Sequence, residues 1–481
     1  MKLSQLLENI VGNDKLEQSL NHIEIKGISA NSSKIGQNDL FIAISGYQQD
    51  GHNYIDDAIA AGACAVVGEK EIEQLNVPYV RVSNSRLALA QIASAFYQTS
   101  SKKHITIGIT GTNGKTTTSF MLKHILEDAG FSCSLFGSIY NIVNGQISTS
   151  PNTTIDALEL HRLLSISRDD IVIIEVSSHG LLQFRIEGIE FDYCLFTNLD
   201  HEHLDYHQSM DDYFSVKASL FNQLKPDGKA IINSYNSWGE KLFHSLKCKV
   251  QNVIAMGEAG NNHLQITRCK TGEPANAVLA EGDEKYQLNL KIFGRHNLYN
   301  AAMAFLTIKN LNIPGEEIIQ SLQTFRGVPG RFEIIEHPKE ATVVIDYAHT
   351  SDAFFHCLST AREHGARRIF HVFGFRGNRD ESKRMGMLNM SYELSDEIIL
   401  TLDDLNHISY EEMVTTLHGL NNPQKALIIP DRTLAIQYSV DNAEKGDWII
   451  ITGKGGEKYH QQFVLPATSD EETIRYLCGK T

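Results

Sequence analysis

The stretch Ile105 to Thr118, ITIGITGTNGKTTT, carries three glycines, a lysine and six threonines, of which Gly111, Gly114, Lys115 and Thr116 to Thr118 stand at a spacing that suits phosphate. The run His104 to Ile109, rich in β-branched residues, reads as a buried strand. From Thr116 onward Phe120, Met121, Leu122, Ile125 and Leu126 recur with helical spacing. Strand, glycine turn and helix in that order make a phosphate cradle. Gly111 and Gly114 let the backbone approach an anion, and the amides of Thr112, Asn113 and the helix N-terminus bear partial positive charge. Lys115 adds a full charge within reach of the β/γ-phosphates of a nucleotide. Thr116 or Thr117 is placed to ligate Mg²⁺. The fit to the general P-loop lacks one glycine, because G-x-x-x-x-G-K would put it where Ile109 stands. An ordinary glycine turn in an α/β domain is the plainer alternative.

Further along, Ile171 to Val176 (IVIIEV) reads as a strand with Glu175 near its end, followed by Ser177, Ser178, His179 and Gly180. A carboxylate at the end of a core strand beside a nucleotide is well placed to hold Mg²⁺, and an incidental edge carboxylate is the alternative. The strand expected at Tyr193 to Leu199 runs into DHEHLDYH, residues 200–207, with three histidines and three acids in eight residues. That density at a strand end, His203 included, favours ligation over a packed core histidine. Met210 to Leu224 has an amphipathic helical pattern with Lys217 near its middle, where a lysine is normally solvated. Phe293 to Asn300 (FGRHNLYN) opens a helix whose His296, Asn297 and Asn300 share one side; their amides could cap the helix or read a purine edge.

The elements that must position these residues alternate strand and helix along most of the chain. With 481 residues the chain is too long for one core and suggests about three domains. Residues 1–99 read as a small α/β domain with strands at 39–44, 63–67 and 77–82 and a helix at 54–61. Its loop GYQQDGHNY, residues 46–54, crowds Asp50, His52 and Asn53 around Gly51, which is a polar surface turn on the plain reading. Polar residues 99–103 read as a linker into the domain with the phosphate cradle, spanning 100–328. The turn VPGRF, residues 328–332, marks the third domain, 329–481. Its strands at 342–345, 368–373, 397–402 and 447–452 lead into the polar loops DYAH, FRGNRD, DDLNH and GKGGEKY, the pattern of a doubly wound sheet whose loops face a ligand.

A formal charge of −15 argues against a nucleic-acid footprint. No apolar run nears the length of a membrane span, and the polar-interrupted N-terminal segment reads as neither signal peptide nor anchor. Seven scattered cysteines form no C-x-x-C pair, so reduced thiols in a cytoplasmic enzyme are expected, with no structural zinc.

Taken together, TGTNGKTTT, EVSSHGL, TNLDHEHLDYH, GRHNLYN, VPGRFE, DYAHT and GKGGE resemble the Mur ligases, in the family's order and over nearly the whole chain. The likeness is greatest to the branch that extends UDP-N-acetylmuramoyl-L-alanyl-D-glutamate by one amino acid. The resemblance implies an α/β fold of three domains: a UDP-sugar-binding domain, a central P-loop ATPase with a mostly parallel sheet, and a Rossmann-like C-terminal domain for the incoming amino acid. It implies acyl activation by ATP followed by amide formation. Lys115 would hold the β/γ-phosphates and Thr116 one Mg²⁺; Glu175 and His203 match metal ligands, and Lys217 falls where the family carries a carbamylated lysine. His296, Asn297 and Asn300 would contact adenine, and Arg331 and Asp346 the phosphates and ribose. For the UDP sugar the matching positions are Ser32, His52, Thr153, Thr154, Ser178, Gln183 and Arg185. The family's Asp-Ser-Arg reads Asn31-Ser32-Ser33 here.

The amino acid follows from the loop at 403–406. Family members that take meso-diaminopimelate carry Asp-Asn-Pro-Arg, whose arginine pairs with the second substrate carboxylate. Here Asp403-Asp404-Leu405-Asn406 offers no arginine, and Asp404 with Glu457 near Gly453 favours an ammonium instead. The resemblance therefore implies L-lysine, with ornithine close behind, and Arg379 for the α-carboxylate. The expected partners are the UDP-N-acetylmuramoyl dipeptide and a free diamino acid, with no nucleic acid or membrane, and a monomer. Two other readings stand beside this one: a diverged paralogue forming an amide in another pathway, and a non-catalytic nucleotide-binding subunit. The joint presence of Lys115, Glu175, His203 and Lys217 disfavours the second.

Overall fold

The computed structural model describes residues 1–11, 18–46, 49–99, 103–150, 152–202, 206–270, 275–337 and 339–479. The chain forms two compact units, one of Met1–Thr110, Phe131–Cys194 and Val216–Lys229, the other of Gly111–Gly130, Leu195–Ser215 and Ala230–Thr481.

In the first unit, strands Gly27–Ser29, Asp39–Ile42, Ala63–Gly68 and Tyr79–Arg81 pair in that order, all parallel. Alternation along the second strand divides its side chains between two layers. Leu40 and Ile42 join Leu3, Leu7, Ala88 and Ile92 from the Leu3–Val11 and Ser85–Tyr97 helices, whereas Phe41 and Ala43 join Ile55 and Ala58 from the Ile55–Ala61 helix. The same unit contains strand Ile105–Thr110 beside Ile171–Glu175, which pairs in turn with Cys133–Phe136, all parallel. An antiparallel ribbon, Tyr140–Val143 and Gln146–Thr149, continues that order. Ile171, Val172, Ile173 and Ile174 are fully buried, the uniform burial that a parallel strand covered on both faces requires.

In the second unit, helix Lys115–Asp128 packs along helix Arg295–Lys309. Strands Asn252–Gly257, Leu264–Lys270, Ala275–Glu281 and Glu284–Leu290 follow one another, the last three antiparallel. A six-stranded sheet takes the order Glu333–Glu336, Thr342–Asp346, Trp448–Thr452, Ile369–Phe375, Glu397–Leu402, Leu427–Ile428. Its first strand is antiparallel and the rest are parallel. Phe354 and Leu358 of helix Ser351–Glu363 and Met413 and Leu417 of helix Tyr410–Leu420 cover one face; Ala435 and Ile436 of helix Arg432–Asn442 and Ile474 of Asp470–Leu477 cover the other. The sheet is doubly wound, as its alternating sequence predicts.

Several elements differ from the sequence expectation. The helix expected at 210–224 ends at Ala218; Ser219–Gln223 tightens into a 3₁₀ turn that buries Leu220 and Phe221, and a strand starts at Leu224 ahead of Pro226 and Gly228, which cannot sustain a helix. Strand 77–82 shortens to Tyr79–Arg81. The four strands between 252 and 290 and the helices Leu3–Val11 and Ser85–Tyr97 have no counterpart in the sequence expectation.

Candidate active site

The glycine turn begins directly after strand Ile105–Thr110. Gly111 has φ 149° and Gly114 φ 84°, both in the region that favours glycine. A Cβ on Gly111 would lie 1.9 Å from Thr197 Oγ1, and one on Gly114 2.4 Å from Asn300 Oδ1. The turn is braced from the chain after strand Phe191–Phe196: Thr112 N donates to Asn198 O (3.0 Å), Asn113 N to Asn198 Oδ1 (2.8 Å), and Thr197 Oγ1 to Asn113 O (2.6 Å). The first intrahelical bond runs from Thr118 N to Gly114 O, so the amides of Lys115 to Thr117 precede it and face the loop, the arrangement that receives an anion. Lys115 Nζ donates to Gly111 O and Thr112 O, each at 2.8 Å, which folds its charge over the cradle. Thr116 is buried and Thr117 half-buried.

Asn297 and Asn300 are buried on helix Arg295–Lys309. Asn297 Nδ2 donates to Phe293 O (2.6 Å), and Asn300 Nδ2 to Asn297 Oδ1 (3.1 Å). No side chain caps this helix, which removes the capping alternative. His296 packs on Gly294 and lies 5.7 Å, ring to ring, from His356; burial, aided by that neighbour, pulls its pKa down to about 3, so it is neutral at physiological pH.

Of the acidic and histidine cluster, His203 lies outside the described residues, as do Leu204 and Asp205. Asn113 Nδ2 donates to Asp200 Oδ2 (3.3 Å) and Asp352 Oδ2 (3.4 Å). Burial, and then the nearby Asp352 charge, pushes Asp200 up to about 6. Glu202 Oε1 pairs with His349 Nε2 at 2.9 Å. Among the described residues no three His, Cys, Asp or Glu side chains converge as a metal cluster.

In the first unit, Glu175 is fully buried at the end of its strand, and its Oε2 accepts from Ser138 Oγ (2.9 Å), whose oxygen lies within hydrogen-bond distance of the Thr153 hydroxyl (3.1 Å). The carboxylate lies so close to Gly137 that a Cβ there would come within 2.2 Å of Oε1. Thr154 Oγ1 donates to Glu175 O (2.9 Å) and accepts from Ser177 N (2.9 Å), while Arg185 Nη1 donates to Thr154 O (2.5 Å) and Arg185 Nη2 to Gln183 Oε1 (2.8 Å). These ties bring Thr153, Thr154, Glu175, Gln183 and Arg185 into one network. Ser178 adds a hydroxyl that is buried yet has no hydrogen-bond partner among the described residues. Lys217 is 1 % exposed, against the solvated position its helical pattern suggests.

The first-domain candidates behave differently. His52 is buried; its Nδ1 lies 2.6 Å from Asp50 Oδ1, and its Nε2 accepts Glu69 N at 2.9 Å. Since Nε2 accepts, the proton sits on Nδ1, and both ring nitrogens are committed to holding the loop. The turn around Gly51 is therefore a structural clasp and not a plain polar surface loop. Ser32 starts the 3₁₀ turn Ser32–Lys34, which Asn31 caps by accepting Ser33 N (3.0 Å) and Ser33 Oγ (2.7 Å).

In the second unit the loops at the carboxyl ends of the six-stranded sheet meet. Asp346 accepts Phe332 N at Oδ2 and Ala348 N at Oδ1, both at 2.6 Å, so its carboxylate pins its own turn; burial raises its pKa although Arg331 opposes this. The Arg331 guanidinium lies 4.1 Å from the Tyr347 ring centre. Asp404 Oδ1 takes Lys454 Nζ at 2.5 Å, with Asp403 Oδ1 3.5 Å from the same nitrogen. Glu457 takes Arg376. Asn406 Nδ2 donates to Gly377 O (3.0 Å), tying loop 403–407 to loop 375–380, and Arg379 is exposed with no acidic partner among the described residues. Sequence reasoning missed Arg376 and Lys454; their charge within the loops FRGNRD and GKGGEKY was the available signal.

A glycine turn ahead of a helix, with a doubly wound sheet presenting charged loops, is the arrangement expected of a nucleotide-dependent ligase of the kind the motifs resemble. Family models match over residues 24–97 (Mur ligase family, catalytic domain), 109–308 (Mur ligase middle domain) and 330–455 (Mur ligase, glutamate ligase domain). The chain is 37% identical over 95% of its length to the UDP-N-acetylmuramoyl-L-alanyl-D-glutamate--2,6-diaminopimelate ligase of Aquifex aeolicus, covering 94% of that protein. It is 35% identical, over 92% of its own length and 94% of the relative's, to the ligase of the same name from Haemophilus influenzae. A solved structure of a ligase of that name superposes with a TM-score of 0.69 at 26% identity, covering 98% of each chain. The chain belongs to the Mur ligase family. It is an ATP-dependent, ADP-forming amide ligase of peptidoglycan synthesis.

Proposed function

We propose that this chain adds an amino acid to UDP-N-acetylmuramoyl-L-alanyl-D-glutamate in the cytoplasm, acting as a monomer. The observation that carries the reading is the braced glycine turn with Lys115 folded over it, in a chain whose relatives bear that dipeptide in their names. In the proposed reaction one of the two carboxylates of the dipeptide's D-glutamyl residue attacks the γ-phosphate of ATP, ADP departs, and the acyl phosphate is opened by the incoming amine with loss of phosphate. Lys115 and the helix N-terminus stabilise the charge that builds on the phosphoryl oxygens. His296, Asn297 and Asn300 would border the adenine, and Arg331 and Asp346 the phosphates and ribose.

Thr116 with its hydroxyl, Glu175 with its carboxylate, His203 with its imidazole and a carbamylated Lys217 are each, as the family resemblance implies, a candidate ligand of Mg²⁺. The hydroxyl and the two acids are hard oxygen donors, and the buried positions of Thr116, Glu175 and Lys217 fit such roles. Mg²⁺, when bound, neutralises phosphate charge. For the UDP sugar, Ser178 supports the assignment best, since its buried hydroxyl awaits an acceptor or donor. Thr153, Thr154, Gln183 and Arg185 stand in one network with Glu175, while Ser32 and His52 serve through the loops they shape. The three family matches support the division at residues 99 and 328.

For the amino acid we favour L-lysine, because Asn406 stands where a second substrate carboxylate would need arginine; Asp403, Asp404, Gly453 and Glu457 would form the seat, and Arg379 would hold the α-carboxylate. A second reading, meso-diaminopimelate, is favoured by the names of the relatives. Measuring phosphate release from ATP with the UDP-muramoyl dipeptide and L-lysine, L-ornithine or meso-diaminopimelate in turn decides between them. The lysine reading expects release with lysine at least about tenfold faster than with diaminopimelate; the reverse order overturns it, and release with none overturns the dipeptide ligase reading altogether.

A further inference from the structure

Four loops leave the carboxyl ends of parallel strands in the six-stranded sheet, and Arg376 lies where they meet. Its Nη2 donates to the Glu457 carboxylate and to Gly453 O at 3.1 Å, and its Nη1 reaches the Tyr347 hydroxyl at 3.3 Å. Its Nε is 3.7 Å from Asp403 Oδ1, beyond hydrogen-bond length, and this buried N–H has no acceptor among the described residues. Lys454, also fully buried, holds Asp404 and faces Asp403. Each of the three acids that would draw an incoming ammonium therefore already faces a cation of this chain.

The pairs differ in how firmly they are held. Lys454 and Asp404 are 1 % and 6 % exposed, and breaking such a pair strands a charge in the interior. Arg376 is 18 % exposed and Glu457 41 %, so water reaches the Glu457 side of that pair and it is the less firmly held of the two. A guanidinium displaced from Glu457 keeps the Gly453 carbonyl and the Tyr347 hydroxyl and ring, 5.2 Å away, as its neighbours.

We propose that Arg376 is a specificity-determining residue: it fills the cation seat at Glu457 until the side-chain ammonium of an incoming diamino acid takes its place. The proposal rests on reading the 403–406 and 453–457 loops as the amino-acid seat. Competition with Arg376 raises the concentration of diamino acid needed, while an amino acid without that ammonium gains nothing at Glu457.

The test is steady-state ADP formation by the full chain and its Arg376→Ala and Arg376→Lys variants. The substrates are L-lysine, its uncharged isostere L-norleucine, and meso-diaminopimelate. Arg376→Ala is expected to lower KM for L-lysine at least about fivefold, the factor that ~1 kcal/mol of screened ion pairing represents, with kcat little changed and no gain for norleucine. Arg376→Lys keeps a cation and is expected to retain the wild-type ratio. If the wild type uses only diaminopimelate, the lysine reading fails, yet new lysine activity in Arg376→Ala still supports the role of Arg376. A KM for lysine that rises, stays put, or falls in parallel with norleucine overturns it. Should Arg376→Ala melt well below the wild type, Arg376→Gln carries the same expectation. Unchanged KM values for every amino acid in Glu457→Gln would remove Glu457 from the seat and overturn the proposal at its base.

Discussion

At the scale of residues, burial separates the candidates that sequence alone treats alike. Lys217 sits in a polar-looking helix whose pattern suggests solvent, yet its side chain is buried; helical periodicity reads one face at a time and cannot register what the next element brings over it. A buried lysine that reacts with CO₂ loses its positive charge and gains two oxygen donors. Lys217→Ala is expected to lower kcat by at least about a hundredfold, with partial recovery when a short carboxylic acid is added to stand in for the carbamate. Unchanged activity would take Lys217 out of the site. Arg376 and Glu457 illustrate a different blind spot: they are 81 residues apart, and nothing local signals that they pair.

At the scale of elements, the strand, turn and helix around Lys115 were legible because each is specified within a few residues: β-branched burial, then glycines where φ is positive, then helical spacing. The alternating strands and helices after residue 340 were legible for the same reason. The strands between 252 and 290 were not, since they are stabilised by pairing with one another, parallel for the first two and antiparallel for the rest, more than by any strong local signal. Helix Ala157–Ile166 carries a testable element of another kind. His161 on this helix is buried, its Nδ1 2.7 Å from Thr99 Oγ1 and its Nε2 2.9 Å from Glu187 O. Burial lowers its pKa from the ordinary 6.5 to about 4, so the folded chain binds fewer protons than the unfolded one. Its contribution to stability is full above pH ~6.5 and falls as the pH drops towards about 4, by on the order of 3 kcal/mol. Thermal denaturation at pH 7 and pH 4.5 should show a smaller acid-induced drop in melting temperature for His161→Gln than for the wild type. Equal drops would show that this ring does not govern acid sensitivity.

At the scale of the whole molecule, the order of motifs along 481 residues identified the family, where any one of them would have been weak evidence. The class of chemistry was readable in the same way. The choice of amino acid was not: on the proposed seat it would depend on how charges in loops 375–380, 403–407 and 453–459 neutralise one another once the sheet has gathered them. The relatives named for diaminopimelate are 34–37% identical to the chain, and on the proposed seat a few loop residues would decide between their amino acid and lysine. No helix among the described residues is long and apolar enough to cross a membrane.

The central claim is that the terminal phosphate of ATP is handed to the carboxylate of the UDP-muramoyl dipeptide before the amine attacks. Its most direct test uses dipeptide labelled with ¹⁸O in both carboxylates of the D-glutamyl residue, with ATP and the amino acid that supports turnover. Mass analysis of the released phosphate is expected to find one ¹⁸O atom per phosphate, transferred when the acyl phosphate is opened. Phosphate that carries no label, alongside normal formation of the amide, would contradict the account.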